Sequence, residues 1–101
     1  MRFLELDKED KKERVKLVLR YLVFQSGYSQ RRLAKRLGVN RSRVGHVLTG
    51  EQSLSLIDTI DWFDALDVSP AKFYELLDKG VGIEEDWVRE IKKPQSELDG
   101  S

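Results

Sequence analysis

The stretch that decides the fold is Ser29-Gln30-Arg31-Arg32-Leu33-Ala34-Lys35-Arg36-Leu37-Gly38-Val39-Asn40-Arg41-Ser42-Arg43-Val44-Gly45-His46-Val47-Leu48-Thr49-Gly50. Ser29 stands where a helix N-cap belongs, and Leu33, Ala34 and Leu37 follow at helical spacing, which predicts a helix over Gln30–Leu37. Gly38 ends it by entering the left-handed region that most side chains avoid. Asn40 then caps a second helix over Arg41–Leu48, with Val44 and either Val47 or Leu48 turned inward, and Gly50 stops it. Ala34 is small where the two helices must cross, and Val39 and Val44 are expected to fill the angle between them.

Outward from this pair, the remaining strong periodicities are also helical, and no segment alternates with period two for long enough to form a strand. Upstream, Asp7 can cap a helix that carries Val15, Val18, Leu19 and Leu22 on one face and ends near Ser26, before Gly27. Downstream, Ser55-Leu56-Ile57-Asp58 resembles a capping box and opens a helix whose expected inward set is Leu56, Ile60, Phe63 and Leu66, with Ile57 and Trp62 alongside. Ser69-Pro70 begins another, with Phe73, Leu76 and Leu77 facing the core. A weaker helix is expected over Glu84–Lys92, carrying Trp87, Val88 and Ile91, followed by Pro94 and an irregular Gln95–Ser101 tail. The expectation is an all-α fold: a compact bundle of about five helices plus a short C-terminal helix, with residues 1–79 as one domain and 80–101 as an extension.

Composition narrows the function classes. A chain of 101 residues supports one compact domain, and 40% apolar residues supply a single modest core. With no cysteine there is no disulfide framework and no thiolate to hold zinc or attack a substrate. One histidine, without a second histidine or a cysteine, does not make a metal site, and neither a phosphate loop nor a nucleophile elbow is present, so no cofactor and no enzymatic activity are expected. The most apolar run, Leu17–Phe24, is too short for a bilayer, and Met1–Glu5 lacks the pattern of a signal peptide, so a cytoplasmic protein without membrane association is expected.

The zero net charge conceals a strong segregation. Residues 11–50 hold eleven basic groups and one acid, net +10, whereas residues 1–10 are net −2 and residues 51–101 net −8. A face with this positive potential suits a polyanion. The second helix of the pair exposes Arg41, Ser42, Arg43 and His46 together near its N-terminal end, and two short helices joined by a glycine turn are the spacing of a helix-turn-helix, which inserts that end into the major groove. Arg31, Arg32, Lys35 and Arg36 lie on the preceding helix, where they are placed either to meet phosphates or to form an ordinary solvated face.

Residues 29–77 resemble the lambda-repressor-like, XRE-type helix-turn-helix domain of phage and bacterial repressors, above all in Ser42-x-Val44-Gly45-x-x-x-x-Gly50 and Ala65-Leu66-x-Val68-Ser69. The resemblance implies a five-helix bundle, double-stranded DNA as ligand, and a homodimer on a near-palindromic operator. It places Gln30 where the family's glutamine clamps a phosphate and braces the reading helix, and Thr49 where a polar residue touches phosphate. With them, Arg31, Arg32, Lys35 and Asn40 complete the expected phosphate set. Arg41 and Ser42 stand where base edges are read, flanked by Arg43 and His46. Arg41 replaces the glutamine often found there, which moves the expected base toward guanine. The acidic residues 1–10 do not suit a basic arm around the duplex, and the resemblance stops short of residues 80–101.

These features favour a sequence-specific transcription regulator acting as a repressor. Two other readings share the fold: an antitoxin that binds its operator and a toxin through the acidic C-terminal half, and an adaptor that has lost DNA. The adaptor would carry a reading helix stripped of basic and hydrogen-bonding groups, which this one is not. A dimer surface is expected outside the basic segment, in the loop after Leu77 and the weak helix with Val81, Ile83, Trp87 and Ile91, with packing of that helix back on its own bundle as the alternative.

Overall fold

The computed structural model describes residues 2–80, and within them every regular element is helical. A 3-10 turn at Phe3–Glu5 precedes α1 (Lys8–Ser26), α2 (Gln30–Leu37), α3 (Arg41–Thr49), α4 (Leu56–Leu66) and α5 (Pro70–Lys79). The expected helix at Glu84–Lys92 and the tail after it lie outside the described residues, as do Val81, Ile83, Trp87 and Ile91.

The helices start where short polar side chains can satisfy their first free N–H groups. Asp7, Ser29, Ser55 and Ser69 each accept from the backbone N–H three residues on. Asn40 differs from expectation: it occupies the N-cap position of α3, but its side chain makes no capping bond. The capping box expected at Ser55–Asp58 is half formed, because the Asp58 carboxylate is turned toward Arg43 of α3. Gly38 takes φ 70° and lets Val39 N–H return 3.0 Å to the Ala34 carbonyl, closing the turn between α2 and α3. Asp67 holds the same left-handed conformation, at φ 57°, to end α4, a position that a short acid tolerates better than most residues. At the end of α5, the Lys79 ammonium bonds Glu75 at 2.7 Å, and that hydrogen bond holds the exposed Glu75 carboxyl below its ordinary range.

One apolar core joins all five helices. Leu33, Val18 and Val44, from α2, α1 and α3, are its most enclosed side chains, and no polar or charged described residue is buried. Val47 and Leu48 are both inward, which settles the alternative left open for α3. Val39 does not fill the α2–α3 angle: its side chain is 42% exposed, because the turn ties its backbone to Ala34 and leaves the side chain at the rim.

The larger correction concerns α4. Its buried residues are Trp62, Ala65 and Leu66, with Phe63 at the edge against Phe73, whereas Leu56, Ile57 and Ile60 face solvent. The helix carries apolar residues on two sides, so spacing alone admits two rotations. Burying the Trp62 indole selects one of them, and Arg36 Nε to Ala65 O at 3.1 Å and Arg43 to Asp58 hold that side inward. At the far end of the bundle, Phe3 N–H donates to Asp78 at 3.0 Å and Arg14 donates to the Leu77 carbonyl at 2.8 Å, docking the first residues onto the end of α5.

This rotation gives a stability test. Leu33→Ala removes a side chain with no exposed surface and is expected to cost about 2–5 kcal/mol. Leu56→Ala, at 77% exposure, is expected to stay within about 0.5 kcal/mol of the wild type. Urea denaturation of both variants checks the pair; equal losses would mean that Leu56 belongs to the core.

Candidate nucleic-acid interface

The α2–α3 pair sets the geometry of the site. A helix advances about 100° per residue, so Arg41, Ser42, Gly45, His46 and Thr49 share one stripe of α3, opposite the buried Val44, Val47 and Leu48. Arg41, Ser42 and Thr49 are exposed, and Gly45 and His46 are half-buried. Gly45 is the low point of the stripe. A methyl group built there would stand 3.4 Å from Gln30 Oε1, so the carboxamide at the start of α2 lies over the middle of α3. Gln30 is thereby held at the edge of the exposed stripe by contact between the helices.

Arg43 falls off this stripe, toward α4. Its guanidinium donates to Gln52 Oε1 and to the Ser53 carbonyl at 3.3 Å, and it approaches Asp58 Oδ2 at 3.5 Å. Arg43 therefore ties α3 to the Glu51–Ser53 loop and to the first turn of α4. The Gln52 N–H also returns 3.1 Å to the His46 carbonyl, and His46 Nε2 lies 3.5 Å from Glu51 Oε2, a pair that is ionic only when the imidazole is protonated. Thr49 donates its hydroxyl to the same His46 carbonyl at 3.2 Å. Of the four expected base-reading residues, the fold thus brings Arg41, Ser42 and His46 onto one exposed surface and turns Arg43 into the loop.

The α2 cations divide similarly. The Arg36 guanidinium sits 5.0 Å from the Tyr28 ring centroid while bonding α4, and Arg32 lies 5.9 Å over the same ring. Arg31 and Lys35 are exposed and, like Arg41, make no hydrogen bond or ion pair with any described residue. On α1, Lys12 and Lys16 are paired with Glu9 and Glu13. The unpaired positive charge of the +10 segment is thus mostly on the α2–α3 surface, with Arg20 and Lys11 of α1 as further contributors.

Gln52 is a residue that the sequence reading missed. Accepting from Arg43 with Oε1 leaves its amide NH2 as the free end, a donor beside α3. The signal available in the sequence was the polar run Glu51-Gln52-Ser53 directly after the end of α3. Among the described residues no group of three His, Cys, Asp or Glu side chains is arranged to hold a metal ion, and no helix is long and apolar enough to cross a membrane.

Comparison with curated proteins and with solved structures found no match. A family model described as helix-turn-helix matches residues 19–73, more than half of the chain, from within α1 through α2 and α3 to Phe73 of α5. The matched span takes in the braced α2–α3 pair, the exposed stripe and the loop that Arg43 secures. The chain belongs to the lambda-repressor-like helix-turn-helix family, a family of DNA-binding transcription regulators.

Proposed function

We propose that this protein is a sequence-specific repressor that seats α3 in the major groove of double-stranded DNA and works as a symmetric dimer on a near-palindromic operator. The observation that carries the reading is the exposed stripe Arg41–Ser42–Gly45–His46–Thr49 with Gln30 lying over Gly45. Arg41 and Ser42 sit at the N-terminal end of α3, the end that reaches base edges when a helix enters the groove. The Arg41 guanidinium is unpaired and planar, suited to bidentate bonding with guanine O6 and N7. Gln30, Arg31, Lys35, Asn40 and Thr49 border the stripe with donors for phosphate oxygens, and Arg32 adds positive potential. His46 contacts DNA at the far side of the stripe, released from Glu51. Arg43 braces the reading helix through its bonds to Gln52, Ser53 and Asp58.

Repression follows from occlusion of a promoter by the bound dimer. One nine-residue helix spans too few base pairs to select a site against a genome of competitors, so two copies must read two half-sites. Residues 1–79 are the DNA-binding domain in this reading, residues 80–101 an extension beyond it, and the protein acts in the cytoplasm on the nucleoid.

Phosphate neutralisation by about four or five contacts predicts that log K falls with log salt at a slope of roughly −3 to −5. Arg31→Gln and Lys35→Gln should each weaken binding to all duplexes alike and reduce that slope by about one. Fluorescence anisotropy titrations across salt concentrations measure both, and affinity independent of salt contradicts the reading.

Arg41 and Arg43 separate reading from bracing. Arg41→Ala is expected to cost about 1–3 kcal/mol on the preferred site and to relax selection at one position, a guanine. Arg43→Ala is expected to weaken preferred and altered sites together, leaving the consensus unchanged. Selection of duplexes from a random pool with each variant decides between these outcomes; an unchanged consensus and affinity for Arg41→Ala would remove it from the reading set.

A further inference from the structure

We infer that the turn between α2 and α3 itself reads DNA: Asn40 and Val39 recognise an A·T base pair next to the guanine of Arg41, Asn40 at the adenine edge and Val39 at the thymine methyl. The inference rests on the proposed DNA reading and extends it, moving Asn40 from the phosphate border of the stripe to its reading end.

Two independent observations lead to it. The Asn40 side chain is exposed, and its carboxamide neither caps α3 nor bonds any other described residue. Val39, beside it, is an exposed aliphatic group that the core does not take in. The backbone of both residues is nevertheless fixed. Val39 N–H donates to the Ala34 carbonyl at 3.0 Å, and the Asn40 carbonyl accepts from Arg43 N–H at 3.0 Å. Two side chains that the fold leaves unused are thus held on a rigid turn immediately before Arg41, which keeps the cost of ordering them on a ligand low. No acid lies between residues 29 and 50 to repel a polyanion there.

Spacing and chemistry name the ligand. Neighbouring Cα atoms are about 3.8 Å apart and successive bases of a strand about 3.4 Å, so the residue before Arg41 meets the pair next to the one that Arg41 reads. A phosphate oxygen can only accept; it would use the NH2 of Asn40 and leave Oδ1 facing negative charge. Adenine uses both ends, since its N6 amino group donates to Oδ1 and its N7 accepts from Nδ2. In the major groove guanine presents two acceptors and cytosine a single donor, so neither satisfies the carboxamide in this way. The thymine paired with that adenine projects a C5-methyl group into the groove, and Val39 supplies its apolar partner. The two side chains together therefore match an A·T pair rather than a G·C pair, and their order along the chain fixes which strand carries the adenine.

The test uses the full chain and the duplex that the wild type selects from a random pool. Asn40→Ser keeps a good capping residue and removes the carboxamide. Its thermal melt should match the wild type, its affinity for the selected duplex should fall roughly tenfold or more, and selection for A·T beside the Arg41 guanine should be lost. Replacing that adenine by 7-deazaadenine, which lacks the N7 acceptor, should weaken the wild type and leave Asn40→Ser unaffected. Replacing the paired thymine by deoxyuridine, which lacks the methyl group, should weaken the wild type roughly fourfold and leave Val39→Ala unaffected. An Asn40→Ser protein that keeps the wild-type consensus overturns the inference: with affinity unchanged the carboxamide is idle or a cap, and with all duplexes weakened alike it meets phosphate. A wild type indifferent to 7-deazaadenine overturns the assignment of Asn40, and one indifferent to deoxyuridine overturns that of Val39. Selection that depends on Arg41 but on neither turn residue overturns this inference alone, whereas a wild type that selects no duplex overturns the DNA reading and this inference with it.

Discussion

The structure depends on the junction at which α1, α2 and α3 meet. Val18, Leu33 and Val44 contribute one side chain each to it and retain essentially no exposed surface. An apolar junction this closely packed is intolerant of displacement, so the angle between α2 and α3 is set by core packing. The polar features of the site follow from that angle. Gln30 reaches across Gly45 because the start of α2 is held over the middle of α3, and the Arg41 stripe faces outward because Val44, Val47 and Leu48 face inward.

Around this junction the charged side chains take two roles. Arg14, Arg36 and Arg43 are structural: each donates to a backbone carbonyl on another segment, to Leu77, Ala65 and Ser53. Arg31, Lys35 and Arg41 are left unpaired among the described residues. A guanidinium at the flank of a helix can reach a neighbouring carbonyl and gains a charge-assisted bond there, whereas one on the outward stripe finds only solvent or a ligand. Position around the helix, rather than residue type, therefore decides whether an arginine braces the fold or is left free on the surface. The Arg43 link also fastens the Glu51–Ser53 loop to α3.

The same logic applies to α4. Its buried side anchors the α2–α3 pair through Trp62, Ala65 and the Arg36 bond, and its opposite side presents aliphatic groups that the fold does not use.

Much of the fold was determined locally. The helix starts at Asp7, Ser29, Ser55 and Ser69, the stops at Gly27, Gly38 and Gly50, and the inward Leu33, Ala34 and Val44 were legible because capping, left-handed turns and helical spacing involve only neighbouring residues. The helix-turn-helix and its exposed Arg41 and Ser42 followed from that spacing. The rotation of α4, the exposure of Val39, the turning of Arg43 toward Gln52 and Asp58, and the docking of Phe3 on Asp78 were decided only in three dimensions. Each depends on a partner distant in sequence or on a choice between two apolar faces of similar pattern. Periodicity shows that a helix has such faces; only the shape of the core chooses which one it buries.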